Sequence, residues 1–340
     1  MTENRWHTCL ILKHLKDRTL VAAFQRLLIP SSQFGIQDKI RSVITDNAAN
    51  MKKAMSVFIE TQDNSDVAFD DPLLWEDESG AEVVEVLGDT LEHLACFAHT
   101  VQLVICDGLA SISGPHRAII SKCCKLASLT HQSPLFKSSF ETDNGSGRSI
   151  PVANDTRWNS SYRQLEAISG LDTALLTSLL QQTHHENLVI SPKELSHLRE
   201  VIEVLRPFAE ATDLCQGDTV VTISCVIPTV LSLSKILESK QFTGSLAKTL
   251  LQSLHSRFSG MFQTLGIEQP GNSRDGKGFS SDIYLLAAVL DPRFAYHWLQ
   301  DLPLSQAEKE ALRFRITGIT AVNYHFVFGL NDLSEFLFSM

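Results

Sequence analysis

The 340-residue sequence contains no run of about 18 uninterrupted apolar residues, which excludes an ordinary membrane-spanning helix. Its start, Met1 to Arg5, lacks the basic and apolar regions of a secretory signal. These two absences lead to the expectation of an intracellular protein with no membrane partner. Cysteine is sparse: seven residues, an odd number, lie scattered without the dense spacing of a secreted disulfide scaffold. They read as reduced thiols, mostly in the core. No internal repeat occurs. The one glycine-rich stretch, Gly145-Ser146-Gly147, lacks the following Lys and the strand-to-helix context of a phosphate loop, and no Gly-x-Ser-x-Gly nucleophile elbow is present. What is present is ordinary for a soluble globular chain, 44% hydrophobic and 20% charged residues. Its length allows two domains, or one domain with a large insertion.

Basic residues are missing from one segment in particular. Residues 60 to 92 hold twelve acids, from Glu60 to Glu92, and no Lys or Arg, so most of the formal charge of -10 is local. The rest of the chain carries 27 acids against 29 bases and does not repel a polyanion as a whole. With its Asp-Pro and Ser-Gly breakers, the 60–90 segment reads as an acidic surface loop or a partly disordered one.

Arg5 to Leu15 (RWHTCLILKHL) reads as a strand, with an edge position open to it. Thr19 to Ile29 reads as a helix stopped by Pro30. Ile40 to Asp46 (IRSVITD) is a short β-branched run ending in an acid, followed by the helix-like Ala48 to Phe58. A helical pattern resumes over Leu91 to Leu109 and His116 to Ser128, and residues 141 to 149 read as a flexible loop. Beyond Ser160 helical period dominates: Tyr162 to Ile168, Leu171 to Gln182, Pro192 to Cys215, Val226 to Ser239, Ser245 to Leu265 and Tyr284 to Leu290. Ser191 before Pro192 has the arrangement of a capped helix start. The tail from Ile319 gives no assignable pattern.

Few residues carry chemistry. Asp46 stands at the end of a strand and before a helix, where nucleotidyl-transfer sheets place carboxylates that hold divalent ions. Asp46 or Asn47 as a plain helix cap accounts for the same spacing, and spacing alone favours the cap. His93-x-x-Cys96-x-x-His99 has metal-type donors three apart, but on a continuous helix the outer two point about 240° apart, so packing or hydrogen bonding is the default for Cys96 and His99. Arg157-Trp158 pairs a cation with a large aromatic, suited to holding a phosphate and stacking a base, and equally suited to anchoring a core.

Taken in order, VITDNAANM (43–51), CFAHTVQLVICDGL (96–109), DTRWNSSY (155–162), VLRPFAEAT (204–212) with TVVTISCVIP (219–228), and AAVLDPRF (287–294) resemble hAT transposases and their domesticated relatives, the BED-type zinc finger proteins. The resemblance spans roughly residues 5 to 300. It implies an α/β fold, helix-rich overall: a partial RNase H-like core over 1–164, with the 60–90 acidic loop, an all-helical insertion over 165–318, and an unassigned tail over 319–340. It also implies roles. Asp46 corresponds to the second acid of the family's Asp, Asp, Glu metal-binding triad, Cys96 and His99 to its Cys-x-x-His element, and Arg157 with Trp158 to its DNA-contacting Arg-Trp.

Several family features have no counterpart in this sequence: the two strands ahead of Arg5 to Leu15, the first of which bears the first catalytic Asp; the Glu before a Trp-rich dimerisation segment; and the BED zinc finger. Glu335 lies without matching context. The expectation is therefore a chain truncated at both ends relative to the family, with one carboxylate of three and no cofactor. Mg2+ at Asp46 belongs only to a complete triad. The functional expectation is a catalytically inactive, transposase-derived nuclear protein acting through DNA, a protein partner or a homo-oligomer. The alternative is an incomplete chain of an active, Mg2+-dependent hAT transposase. A first strand deprived of its central neighbours is expected to leave an unpaired edge.

Overall fold

A computed structural model of the chain describes residues 8–11, 40–45, 92–145, 149–153, 158–215, 222–239, 244–267 and 279–328. Helix dominates these residues, and three short strands accompany it. The chain divides into two compact units, one of Met1–Thr100 with Lys277–Met340, the other of Val101–Gly276.

The first unit contains the sheet. Strands β1 (Thr8–Ile11), β2 (Ile40–Thr45) and β3 (Glu92–Ala95) pair in parallel in the order β1-β2-β3. Leu10 sits opposite Val43, with an irregularity between Thr8 and Leu10, and Ser42 to Thr45 run opposite Glu92 to Ala95. Parallel neighbours need long crossovers. Those crossovers, which include the sequence-expected helices over 19–29 and 48–58 and the 60–90 acidic segment, lie outside the described residues. β1 does not lack a neighbour, because it pairs directly with β2.

One expectation is corrected at β3. The helical pattern over Leu91 to Leu109 covers a strand and a helix: Glu92–Ala95 extends beside β2, and helix α1 begins at Phe97 and runs to Ser111. A short apolar run reads equally as either element, and here pairing with β2 decides it. The unit also holds α10 (Asp282–Leu290), α11 (His297–Gln300) and α12 (Gln306–Phe328). Ser281 starts α10, accepting from the Ile283 N–H at 3.3 Å while its hydroxyl donates to Glu92 Oε2 at 2.9 Å. Phe279 stacks edge-on against Phe97 and tilts against Tyr284. α10 buries Tyr284, Leu285, Ala288 and Val289, and α12 buries Leu312, Ile316 and Thr320. The tail after Ile319 is therefore helical as far as Phe328, and the residues after it lie outside the description.

The second unit is helical throughout its described residues. It comprises most of α1, then α2 (Gly114–Gln132), α3 (Pro134–Asn144), α4 (Trp158–Ser169), α5 (Thr173–Gln182), α6 (Pro192–Cys215), α7 (Val226–Glu238), α8 (Ser245–Arg257) and α9 (Ser259–Thr264). Each long helix buries one stripe. On α2 it is Ile119, Cys123, Leu126, Ala127 and Thr130; on α6 it runs from Leu198 through Leu205 and Phe208 to Thr212. This is the three-and-four spacing that docks an amphipathic helix. α1 and α8 meet at Gly108, where a Cβ would come within 2.5 Å of Leu250 Cδ2, so any larger residue there would have to displace the buried Leu250 side chain. Asp107 Oδ2 ties the same contact, accepting from Ser253 Oγ at 2.6 Å and Arg257 Nη2 at 2.8 Å.

Two further element boundaries differ from the sequence expectation. α3 extends through residues 141 to 144 of the expected loop, anchored by buried Phe136 and Phe140. The stretch expected as one helix over 245–265 breaks at Phe258, whose backbone leaves the helical region. Positions 164/165 lie within α4 and 318/319 within α12.

Candidate functional site

The sheet brings the residues just before two sequence-expected positions, Thr45 and Ala95, to one level. Thr45, directly before Asp46, pairs with Ala95, directly before Cys96. In parallel strands both chains leave the sheet at the same edge, where α/β sheets commonly bind ligands. Asp46 itself lies outside the described residues. Cys96 is half-buried at the junction of β3 and α1, and its carbonyl accepts from both the amide and the hydroxyl of Thr100 at 3.0 Å. His99 is half-buried in the first turn of α1. His93-x-x-Cys96-x-x-His99 thus straddles a strand-to-helix break rather than lying on one helix. Among the described residues no three His, Cys, Asp or Glu side chains stand as a ready-made metal site.

The second position is Trp158, the first residue of α4; Arg157 lies outside the described residues. Trp158 is only 6% exposed and meets Tyr162, one turn on, edge-on at 6.1 Å between ring centroids. Both line a cleft of about 170 Å³ with Leu109, Arg117, Gln164 and Leu205. The cleft walls are largely apolar. Trp158 Nε1 and Gln164 Oε1 are buried without hydrogen-bond partners, although Gln164 Nε2 donates to the Pro151 carbonyl at 2.9 Å. Burial raises the Tyr162 hydroxyl above its ordinary pKa, against the neighbouring Arg206, and the hydroxyl donates to Glu166 at 3.1 Å. The core-anchor role and the cleft-lining role of Trp158 thus coexist. Arg117, Tyr162 and Gln164 were not singled out from sequence. The only signal for them is the i, i+4 spacing of Trp158 and Tyr162.

Other polar clusters of the helical unit are structural links. Lys122 Nζ donates to the Val189 carbonyl at 2.9 Å and to Glu194 Oε1 at 2.5 Å. Burial pushes the Glu194 carboxyl up, but the Lys122 ammonium and the Ser191 N–H and hydroxyl outweigh it and hold the pKa at about 2. Burial, with Cys124 adjacent, pushes the Cys123 thiol up to about 12, which makes it an inert core group. His255 Nε2 bonds Ser234 Oγ at 2.7 Å, and burial lowers its pKa against the opposing pull of Glu238. Glu238 Oε1 lies 3.6 Å from that same ring nitrogen, so the three side chains do not form the relay of a hydrolase triad.

Residues 94–204 match the family model of the ZBED1 RNase-like helical domain. The match supports a transposase-derived origin of the hAT and ZBED kind. It takes in the Cys96 to Leu109 block, Trp158 and most of the helices that form the cleft. No curated protein matches the chain. Among the described residues no helix is long and apolar enough to cross a membrane.

Proposed function

We propose that the chain is a transposase-derived nuclear protein that does not cut DNA and works through association with DNA, with protein partners or with copies of itself. In this reading the parallel sheet is the remnant of an RNase H-like core over 1–164, interrupted by the helical insertion over 165–318. Asp46 is a vestigial triad acid, and Cys96 with His99 is the family element beside it.

One observation carries the inactive reading. β2, which leads to Asp46, is flanked on one side by Thr8–Ile11 and on the other by Glu92–Ala95. Thr45 stands opposite Ala95, and the residues that follow these neighbouring strands in the sequence, Leu12 and Cys96, are not carboxylates. Glu92 is the one acid on a flanking strand, and it stands opposite Ser42 near the start of β2, engaged by Ser281. A two-ion phosphoryl-transfer centre needs several carboxylates converging on cations about 4 Å apart. The residues on these strands do not fit a Mg2+ pair.

DNA association rests on Arg157 and on Trp158, which lines the cleft with Arg117 and Tyr162. A cation and an aromatic wall are the two components of sequence-tolerant strand binding. With Trp158 buried, this reading leaves the DNA contact to Arg157.

The decisive experiment is a Mg2+-dependent nicking and strand-transfer assay on hairpin and transposon-end DNA. No product above background is expected, and Asp46→Asn should change nothing. Robust cleavage abolished by Asp46→Asn overturns this reading in favour of an active hAT transposase. Association is tested by mobility shift at low salt, where Arg157→Ala should weaken binding and reduce the salt slope by about one phosphate contact.

A further inference from the structure

Helix α12 buries one stripe and leaves a second one open. Leu312, Ile316 and Thr320 turn inward and are buried. On the opposite face Ala307, Ala311, Phe314 and Gly318 recur at spacings of four, three and four residues, and all of them are exposed. Phe314, at 83%, is the most exposed large apolar side chain among the described residues. A Cβ added at Gly318 would meet nothing within 4 Å. This spacing is that of a coiled-coil seam, where a large side chain of one helix enters a hole between side chains of another. Glu308 and Arg315, both exposed and about two turns apart, stand on one flank of the stripe.

We propose that this face of α12 binds α12 of a second copy of the chain in antiparallel orientation. The pairing rests on the association with copies of itself proposed above and gives that association a surface. What selects a second copy as the occupant is that the face complements itself. A two-fold axis passing between Ala311 and Leu312 sets Phe314 of each copy into the gap between the partner's Ala307 and the partner's Ala311. The same axis sets Glu308 beside the partner's Arg315. Antiparallel helices meet flank to like flank, so this opposite-charge contact forms twice, and charges that flank a seam fix its orientation. Parallel pairing would instead stack Phe314 on the partner's Phe314 and hold the alanines apart, leaving a poorly filled seam.

The contact covers about three turns of each helix, less than the roughly 1,200 Å² at which standard interfaces begin, so the dimer is weak. At a few micromolar the chains are monomeric, and Phe314 then adds nothing to their stability.

Sedimentation velocity of the full chain from about 5 to about 500 µM should show a reversible monomer–dimer equilibrium with a dissociation constant on the order of 100 µM. Phe314→Glu should abolish the dimer and leave the helical circular dichroism unchanged. Glu308→Arg and Arg315→Glu each oppose like charges at both contacts and should weaken it at least about tenfold. An equimolar mixture of these two variants restores opposite charges at both contacts and should dimerise as the wild type does. Leu135→Glu, at an exposed apolar residue of the other unit, should leave the equilibrium unchanged. If Glu308→Arg, which also opens the cap of α12, fails to fold, Phe314→Glu and Arg315→Glu decide the matter. A chain that stays monomeric at about 500 µM, as it would if another segment of the same chain covered Phe314, overturns the pairing. So does a dimer that Phe314→Glu retains, which would leave self-association standing through a different surface. Full-strength dimerisation of Glu308→Arg alone overturns the antiparallel arrangement. None of these results changes what the nicking assay reports, so loss of this surface and loss of the inactive reading are told apart.

Discussion

Helices α6 and α12 are the two longest of the described residues, at 24 and 23 residues, and they begin with the same device. At the start of α6 the Ser191 amide and hydroxyl both donate to Glu194 Oε2 at 2.8 Å, and the Glu194 amide donates back to Ser191 Oγ at 3.3 Å. At the start of α12 Ser305 and Glu308 repeat the pattern at 2.7, 2.6 and 3.4 Å. Both are capping boxes, which satisfy orphan amides of the first turn reciprocally. They differ in what lies beyond the box. Glu194 also receives the Lys122 ammonium from α2, so a local signal becomes a tertiary tie, whereas among the described residues Glu308 bonds within its own cap. The same four-residue motif therefore starts a helix in both places and fixes its neighbour in one.

The largest expected contrast between the two helices comes from their phenylalanines. Phe208 of α6 is fully buried, and Phe314 of α12 is 83% exposed. Phe208→Ala should cost about 3–5 kcal/mol, the range for emptying a buried aromatic site. Phe314→Ala should change stability by less than about 0.5 kcal/mol. Urea denaturation followed by circular dichroism measures both. Equal losses would show that Phe314 is covered in solution and that α12 has a partner there.

A smaller contrast should separate the caps. Ser191→Ala should cost about 1 kcal/mol, the usual worth of an N-cap hydroxyl, because it also loosens the carboxylate that Lys122 holds. Ser305→Ala removes the same local bonds with no second helix attached and should cost less. The comparison is sharpened by Lys122→Met. If the tie is tertiary, that change should bring the loss caused by Ser191→Ala down towards the loss caused by Ser305→Ala, as a double-mutant cycle would read it.

These helices also show what the sequence discloses and what it withholds. The start of α6 is legible because Ser191, Pro192 and Glu194 act through bonds to their own turn. β3 is not, because Glu92–Ala95 has no strand signature of its own and becomes extended only through pairing with β2. α3 is hidden for a related reason: its last turn, Glu141 to Asn144, is polar, and its anchors Phe136 and Phe140 sit earlier in the helix. For the site, residue type and spacing single out Asp46, Cys96 and Trp158, but only the ordered family resemblance gives them roles beyond helix cap, packing and core anchor. The cleft around Trp158 arises where separate helices meet, and no local spacing announces it.

The smallest expected effect concerns acid. Glu194 titrates at about 2 in the folded chain against an ordinary 4.5, a depressed carboxylate. Such a group stabilises the fold at pH values above the unfolded pKa, and the stabilisation is lost as pH falls through the folded one. The Glu194 contribution should thus be intact at neutral pH and fade between about pH 4.5 and pH 2. Glu308 is lowered in the same direction by the Ser305 hydroxyl and amide, but it is fully exposed, so solvent screens its contribution. Melting temperatures recorded across this window should therefore fall less steeply for Glu194→Gln than for the wild type, while Glu308→Gln should follow the wild-type curve. A wild-type slope that survives Glu194→Gln but disappears in Glu308→Gln would reverse the ranking of the two caps and remove Lys122 as the source of the difference.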